Sequence, residues 1–258
     1  MAEYVDIDTA RALPGLRLVL TAGAPGAPWT EAAKAVFDVK GIPYARVAQR
    51  TGATDAALRE WTGIANAPIA VYAEERPRAG WLEILHLAER LAPSPRLIPQ
   101  DARDRVLMFG LANELMSEDG LVWCRRLMMF DQAASTQGAP LGGFVGLRGR
   151  DYGYTPDDAR RAPQRVVEVL QLFADQWREQ RARGRRYLVG ESLTAVDLYW
   201  ATMIAIVAPL PQDLCPMPPF LRASYEGSPS LVQDALDPAL LEHRDFIYRT
   251  CLTLPVDT

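Results

Sequence analysis

The sequence predicts two unlike units in one chain: a small α/β domain over residues 1–92 and a larger all-helical domain over residues 101–258, joined by a linker at 93–100. Three observations predict it. Strand-like apolar runs occur only in the first third, at residues 16–21, 44–47 and 68–72. The segment Ala92-Pro-Ser-Pro-Arg-Leu-Ile-Pro99 then places three prolines in eight residues, the composition of a semi-rigid linker. Beyond it the apolar residues recur with a helical period and no strand alternation.

Residues 16–21 (LRLVLT) read as a buried strand, followed by the Gly/Pro turn cluster GAPGAPW. A helix over 29–40 follows from Trp29, Ala32, Ala33, Val36 and Phe37, which fall at i, i+3, i+4, i+7 and i+8, and Gly41 ends it. A second strand at 44–47 completes a β-α-β unit, for which a right-handed crossover is strongly preferred. Residues 56–61 form a short helical pattern. Pro68 lacks the ladder donor and so belongs at a strand's first residue or edge. Residues 74–80 read as a polar turn with room for one stubby strand, and 81–91 as a helix. In the second unit, Asp101 caps a long helix running to about Phe130, bent at Gly110 or Gly120. Residues 131–155, rich in Gly, Ser and Gln, read as a long loop. Residues 156–183 are helical, with Val166, Leu170, Phe173, Ala174 and Trp177 on one stripe. Residues 194–207 are apolar nearly all round, which marks a buried helix. The Pro-rich residues 208–219 break it, and short helices at 231–235 and 238–250 close the chain.

Composition narrows the function. The chain has 258 residues, 49% hydrophobic, enough to bury a core without disulfide staples. A formal net charge of -4 offers no large cationic field for nucleic acid. The basic run Arg178, Arg181, Arg183, Arg185 and Arg186 closes a helical pattern, where cations favour the dipole. Cys124, Cys215 and Cys251 are odd in number and widely spaced, which points to a reducing, cytoplasmic compartment and no disulfide framework. The acidic N-terminus has no apolar run, so no signal peptide is expected, and no stretch of ~18 apolar residues suggests a membrane span. With His86 and His243 the only histidines and no ligand cluster, no metal is expected. The glycines at 142, 143, 146 and 149 fit neither dinucleotide nor P-loop spacing, and are read as a mobile loop.

The most specific motif is Tyr187-Leu188-Val189-Gly190-Glu191-Ser192-Leu193-Thr194-Ala195-Val196-Asp197. Thr194 can cap a helix while Asp197 returns a bond to the backbone at Thr194, a capping box that satisfies donors costly to bury. Together with Ala27-Pro28-Trp29-Thr30, with Ala67-Pro68 before the third strand, and with Leu97-Ile98-Pro99 in the linker, it resembles the glutathione S-transferase superfamily over residues 15–210, as a divergent member of bacterial type. The resemblance implies a thioredoxin-like first domain, a helical-bundle second domain, homodimerisation, and a reaction in which glutathione's thiolate adds to, or is transferred onto, a hydrophobic electrophile.

It also implies a site. The backbone of Ala67, next to Pro68, would pair with the cysteinyl part of glutathione. Ala27, Trp29 and Thr30 would surround its thiol, helped by the free N–H groups and dipole of the helix start. The nucleophile is the thiolate. Where members with a Ser-Pro-aromatic segment carry serine, this chain has Ala27, which cannot donate, so Thr30 is the catalytic candidate, with Thr21 as a second. The usual Glu/Asp-Ser pair is replaced by Gly80-Trp81, leaving Arg78 or Arg76 to hold a carboxylate, or else a solvated ion-paired turn. Glu114 resembles the acidic residue that reaches across the dimer, or is a surface glutamate. Met108, Leu111, Met116 and Trp123 would line the electrophile pocket, although an equal stripe would serve as core. The missing side chains at 27 and 80–81 leave two other readings open: a non-catalytic binding or scaffolding protein that has lost thiol activation, and an enzyme that reuses the cleft for another ligand.

Overall fold

A computed structural model of the chain describes residues 3–50, 56–135, 148–149 and 151–257. The glycine-rich segment read as a mobile loop lies largely outside them. The first element, α1 (Ile7–Ala12), was not foreseen; Asp6 caps it by accepting from the Thr9 N–H at 2.7 Å. The central strand β1 (Leu16–Ala22) is apolar because it is covered on both faces. α2 (Pro28–Val39) leads to β2 (Ala45–Arg50), which pairs parallel to β1 with Val19 opposite Val47. After α3 (Ala56–Thr62), β3 (Ile69–Tyr72) pairs antiparallel on the other side, with Val19 opposite Ile69. The sheet order is therefore β2-β1-β3. The expected stubby strand is a single bridge between Ala70 and Arg78. α4 (Trp81–Leu91) completes the α/β part.

The proline-rich segment is tied down. The buried Lys40 ammonium donates to the carbonyls of Ala92 and Pro95 at 2.8 and 2.7 Å and pairs with Glu89 at 2.7 Å. Glu89 also accepts from the Leu97 N–H at 2.8 Å, and the Leu97 carbonyl accepts from Ala195 at 2.9 Å.

The helical part begins with α5 (Ala102–Met116), capped by Asp101. The single long helix expected to Phe130 is two: the chain breaks at 117–120 and resumes as α6 (Leu121–Ser135). The break falls at Gly120 because a Cβ there would lie 2.7 Å from the Glu114 carbonyl and 2.8 Å from that of Ser117, and because Asp119 takes a positive φ. A Cβ at Gly110 meets nothing, so α5 passes through it. α6 also carries helix into the stretch read as loop from 131. Next come α7 (Pro156–Ala182), α8 (Ala195–Met203) with a 3-10 turn at Ile204–Ile206, α9 (Pro219–Glu226), α10 (Ser230–Asp234) and α11 (Pro238–Cys251). α9 begins at Pro219, the last residue of the Pro-rich stretch, and was not foreseen. No helix among the described residues is long and apolar enough to cross a membrane.

α8 is buried along its whole length and packs on α2, α5 and α11. Its start is the capping box read from the sequence. The fully buried Asp197 carboxylate accepts from the Thr194 N–H at 2.9 Å, the Thr194 hydroxyl at 2.8 Å and the Leu188 N–H at 2.7 Å, and lies 2.9 Å from His243 Nε2 on α11. Asp197→Ala should lower unfolding free energy by about 3–5 kcal/mol, because it leaves several buried donors unpaired. Urea denaturation would show it, and a loss below about 1 kcal/mol would contradict the network.

A second charged cluster joins α2 and β2 to the segment after α11. Lys34 pairs with Glu31 and Asp257, and Arg46 pairs with Asp257 at 2.5 Å. Burial pushes the Asp257 carboxyl up, but the bonds from Lys34 and Arg46 outweigh it and hold the group below the usual carboxylate range. A depressed folded value stabilises above the unfolded pKa of about 4 and is lost as pH falls through the folded one. Glu31 has the opposite sign, raised by its burial. Asp257→Asn should therefore lower the melting temperature at pH 7, with the difference from wild type shrinking at more acid pH; a constant difference would contradict this linkage.

Candidate functional site

Where the end of β1 and the start of α2 face α6 and α9, a cavity of about 200 Å³ opens. One side is Thr21, Ala27, Trp29 and Thr30, with Gln49, Asn66 and Ala67 beside them. The other is Arg126, Met129, Phe130 and Ala133, which fall at i, i+3, i+4 and i+7 on one face of α6. Phe220, Leu221, Ser224 and Tyr225 of α9 complete the wall, with Arg148 and Tyr152.

The start of α2 is held from behind. Gly26 takes φ +72°, and a Cβ there would lie 2.6 Å from Met217 Cε and 3.0 Å from Cys215 Sγ. Burial pushes the Cys215 thiol up to about 11, so it stays protonated at neutral pH. Ala27 occupies the N-cap without a side-chain bond and Pro28 follows in the first turn, where its missing N–H costs nothing. Thr30 lines the cavity but is nearly buried, and its hydroxyl oxygen accepts from the Thr21 N–H at 3.1 Å. That bond fastens the end of β1 to α2. Trp29 stands at the edge, with the Arg126 guanidinium 5.9 Å from its ring centre and the Tyr152 ring at 6.0 Å. The Ala67–Pro68 bond is cis. The Ala67 N–H, expected to face the ligand, donates to Gln49 Oε1 at 2.7 Å, while Gln49 Nε2 donates to the Ala65 carbonyl at 2.8 Å.

Thus Ala27, Trp29, Thr30 and Ala67 come together, and Pro68 lies just behind them. The other candidates lie elsewhere. Trp81 packs between the two parts: its indole donates to Ser117 Oγ at 3.1 Å and its ring lies 5.8 Å from Tyr199. With Pro68 and Met116 it borders a separate gap of about 20 Å³, too small for a ligand. Arg78 donates to Glu75 at 2.6 Å, and Glu75 also holds Arg90 at 2.7 Å, so this turn is ion-paired within itself and to α4. Glu114 pairs with Arg165 of α7 at 2.5 Å. Met108, Leu111 and Met116 are core, because the apolar stripe of α5 faces α8. Trp123 lies 4.5 Å from the Tyr152 ring and borders a neighbouring cavity with Cys124 and Arg165. The pocket wall is therefore α6 and α9, not α5.

Sequence reasoning missed Arg126, Tyr152, Ser224 and Tyr225. The spacings within α6 and α9 carry a usable signal: Phe220, Leu221, Ser224 and Tyr225 fall at i, i+1, i+4 and i+5, one face of a helix. Burial raises the pKa of the Tyr152 and Tyr225 hydroxyls, and the facing Arg126 guanidinium pulls both back down.

The fold places the chain among known architectures. It is similar to a glutathione S-transferase from Methylobacillus flagellatus KT solved with GSH bound, at TM-score 0.62 and 13% identity over 91% of this chain and 95% of that one. A glutathione S-transferase from Methylobacterium radiotolerans JCM 2831, in complex with glutathione sulfonate, gives TM-score 0.58 and 15% identity over 91% of each chain. Glutathione transferase Omega 3C from Trametes versicolor gives 0.57 and 14% over 95% and 89%. No protein-family model and no curated protein matches the chain. The chain has the glutathione S-transferase fold.

Gly26→Ala tests how the site is backed. The positive φ and the close approach of Met217 should cost about 1–3 kcal/mol, visible as a lower melting temperature. An unchanged melting temperature would show that the 215–217 segment does not press on this turn.

Proposed function

We propose that the protein is a divergent member of the glutathione S-transferase superfamily and an enzyme of the transferase type, with two domains divided at residues 93–100. Glutathione would lie between the start of α2 and the Asn66–Ala67 segment, and a hydrophobic electrophile under the wall made by α6 and α9. The observation that supports this most is the cavity itself, which joins an uncapped helix N-terminus to an apolar wall. Free N–H groups at such an end stabilise an anion, here the thiolate. The Thr30 oxygen already accepts from Thr21 but keeps its own O–H, which can donate to sulfur. In substitution, the thiolate lone pair forms the S–C bond and the leaving group departs with its electron pair; in addition, the carbanion formed takes a proton from solvent. The same proposal places the reaction in a cytoplasmic homodimer.

Two observations favour the non-catalytic or repurposed reading: Gln49 occupies the Ala67 N–H, and position 27 has no hydroxyl. Calorimetric titration with glutathione separates the two. The transferase reading expects binding at or below about 1 mM. No heat at millimolar glutathione would leave a scaffold or a cleft for another ligand. Given binding, Thr30→Ala should abolish turnover of a test electrophile while leaving glutathione affinity within about two-fold, and Thr30→Ser should restore it. Equal turnover in Thr30→Ala would remove that residue from the chemistry.

A further inference from the structure

The wall opposite the proposed glutathione side carries a charge that a hydrophobic pocket does not need. Among the described residues lining the cavity there is no Asp or Glu, yet Arg126 and Arg148 both border it. Arg148 has a partner, Asp151, at 3.2 Å. Arg126 forms no ion pair among the described residues, and its Nε is buried without a hydrogen-bond partner. Its guanidinium sits over Trp29 and is hydrogen-bonded to the hydroxyls of Tyr152 and Tyr225, so its charge meets neutral partners and no carboxylate among the described residues.

A second guanidinium lies behind the wall. Arg125 is 1% exposed and, among the described residues, is bonded only to neutral oxygens: Ser228 Oγ at 3.0 Å and the carbonyls of Ser224 and Tyr225 at 2.7 and 3.3 Å. Burial, with the charge of Arg126 beside it, lowers Arg125 to about 10. Two adjacent cations of the same sign, with one carboxylate near a third, make the cavity positive. In a poorly solvated space an unpaired cation is costly, and an anion that forks onto it recovers that cost. Met129, Phe130, Ala133 and Leu221 of the same wall are apolar.

We infer that the cavity takes an amphipathic anion, a carboxylate-bearing molecule whose head pairs with Arg126 and whose apolar body lies against α6 and α9. The inference rests on the proposed function for the placement of this molecule as second substrate. Arg126 belongs to the apolar wall that would hold the electrophile, not to the α2 and Asn66–Ala67 side given to glutathione. Tyr152 and Tyr225, held against the same guanidinium, offer hydroxyl donors to the second carboxylate oxygen.

The test titrates the whole protein with 4-phenylbutanoate and with its uncharged isostere 4-phenylbutanamide, each with and without saturating glutathione. The carboxylate should bind roughly ten-fold or more tightly than the amide, as a charged hydrogen-bonded pair would give. Arg126→Gln should abolish that preference without weakening the amide, and Arg126→Lys should keep part of it. Equal affinity for acid and amide in the wild type overturns the inference, and needs no variant to fold. So does a preference that survives Arg126→Gln, or displacement of the carboxylate by glutathione, which would make Arg126 a glutathione contact. Carboxylate preference without glutathione binding supports the anion site and sinks the transferase reading alone; glutathione binding without carboxylate preference does the reverse.

Discussion

The helical part is organised around one buried carboxylate. Asp197 holds the 188–194 segment, the first turn of α8 and the histidine of α11 through a single group that water does not reach. α8 is the surface on which α2 rests, so the position of the α2 N-terminus follows from how α8 is anchored. A charge buried this deeply is tolerated only when its lone pairs are filled, and here donors from three places in the chain fill them. The geometry of the cavity is thus set by a residue that does not line it.

The two parts of the molecule are also sewn together elsewhere. Lys40 reaches from the end of α2 to the carbonyls of Ala92 and Pro95. Trp81 at the start of α4 packs on Tyr199 and Phe109 and bonds Ser117. One continuous apolar cluster runs from Leu18 and Phe37 through Leu111 and Phe173 to Trp200. The two sides of the cavity therefore belong to a shared core, and a ligand between them touches both without bridging a loose hinge.

The parts of this structure legible in the sequence are those decided locally. The β1-α2-β2 unit, α4, α7 and the Thr194–Asp197 box follow from periodicity and capping chemistry, which act within a few residues. The break between α5 and α6 was not assigned, because Gly110 and Gly120 look alike until the carbonyls of Glu114 and Ser117 close over one of them. α9 was hidden by proline: a Pro-rich stretch reads as a helix breaker, but Pro219 opens a helix, as Pro28, Pro156 and Pro238 do. The first side of the site was readable because Ala27–Thr30 and Ala67–Pro68 are short motifs. The second was not, because α5 and α6 both carry apolar stripes, and only packing against α8 decides which one is left to face α2.

The wall supplied by α9 differs in kind from the rest. Tyr225 is its only buried side chain, and Phe220 is 58% exposed. The bonds that fix this helix to Arg125 use the backbone carbonyls of Ser224 and Tyr225, not side chains. Side chains at 220 and 224 can therefore be exchanged while the helix stays in place, whereas Leu221 also packs against the core. Selection acting on such a rim can change which molecules the cavity admits without passing through poorly folded intermediates, so the shape and chemistry of this opening are free to drift faster than the architecture that carries it.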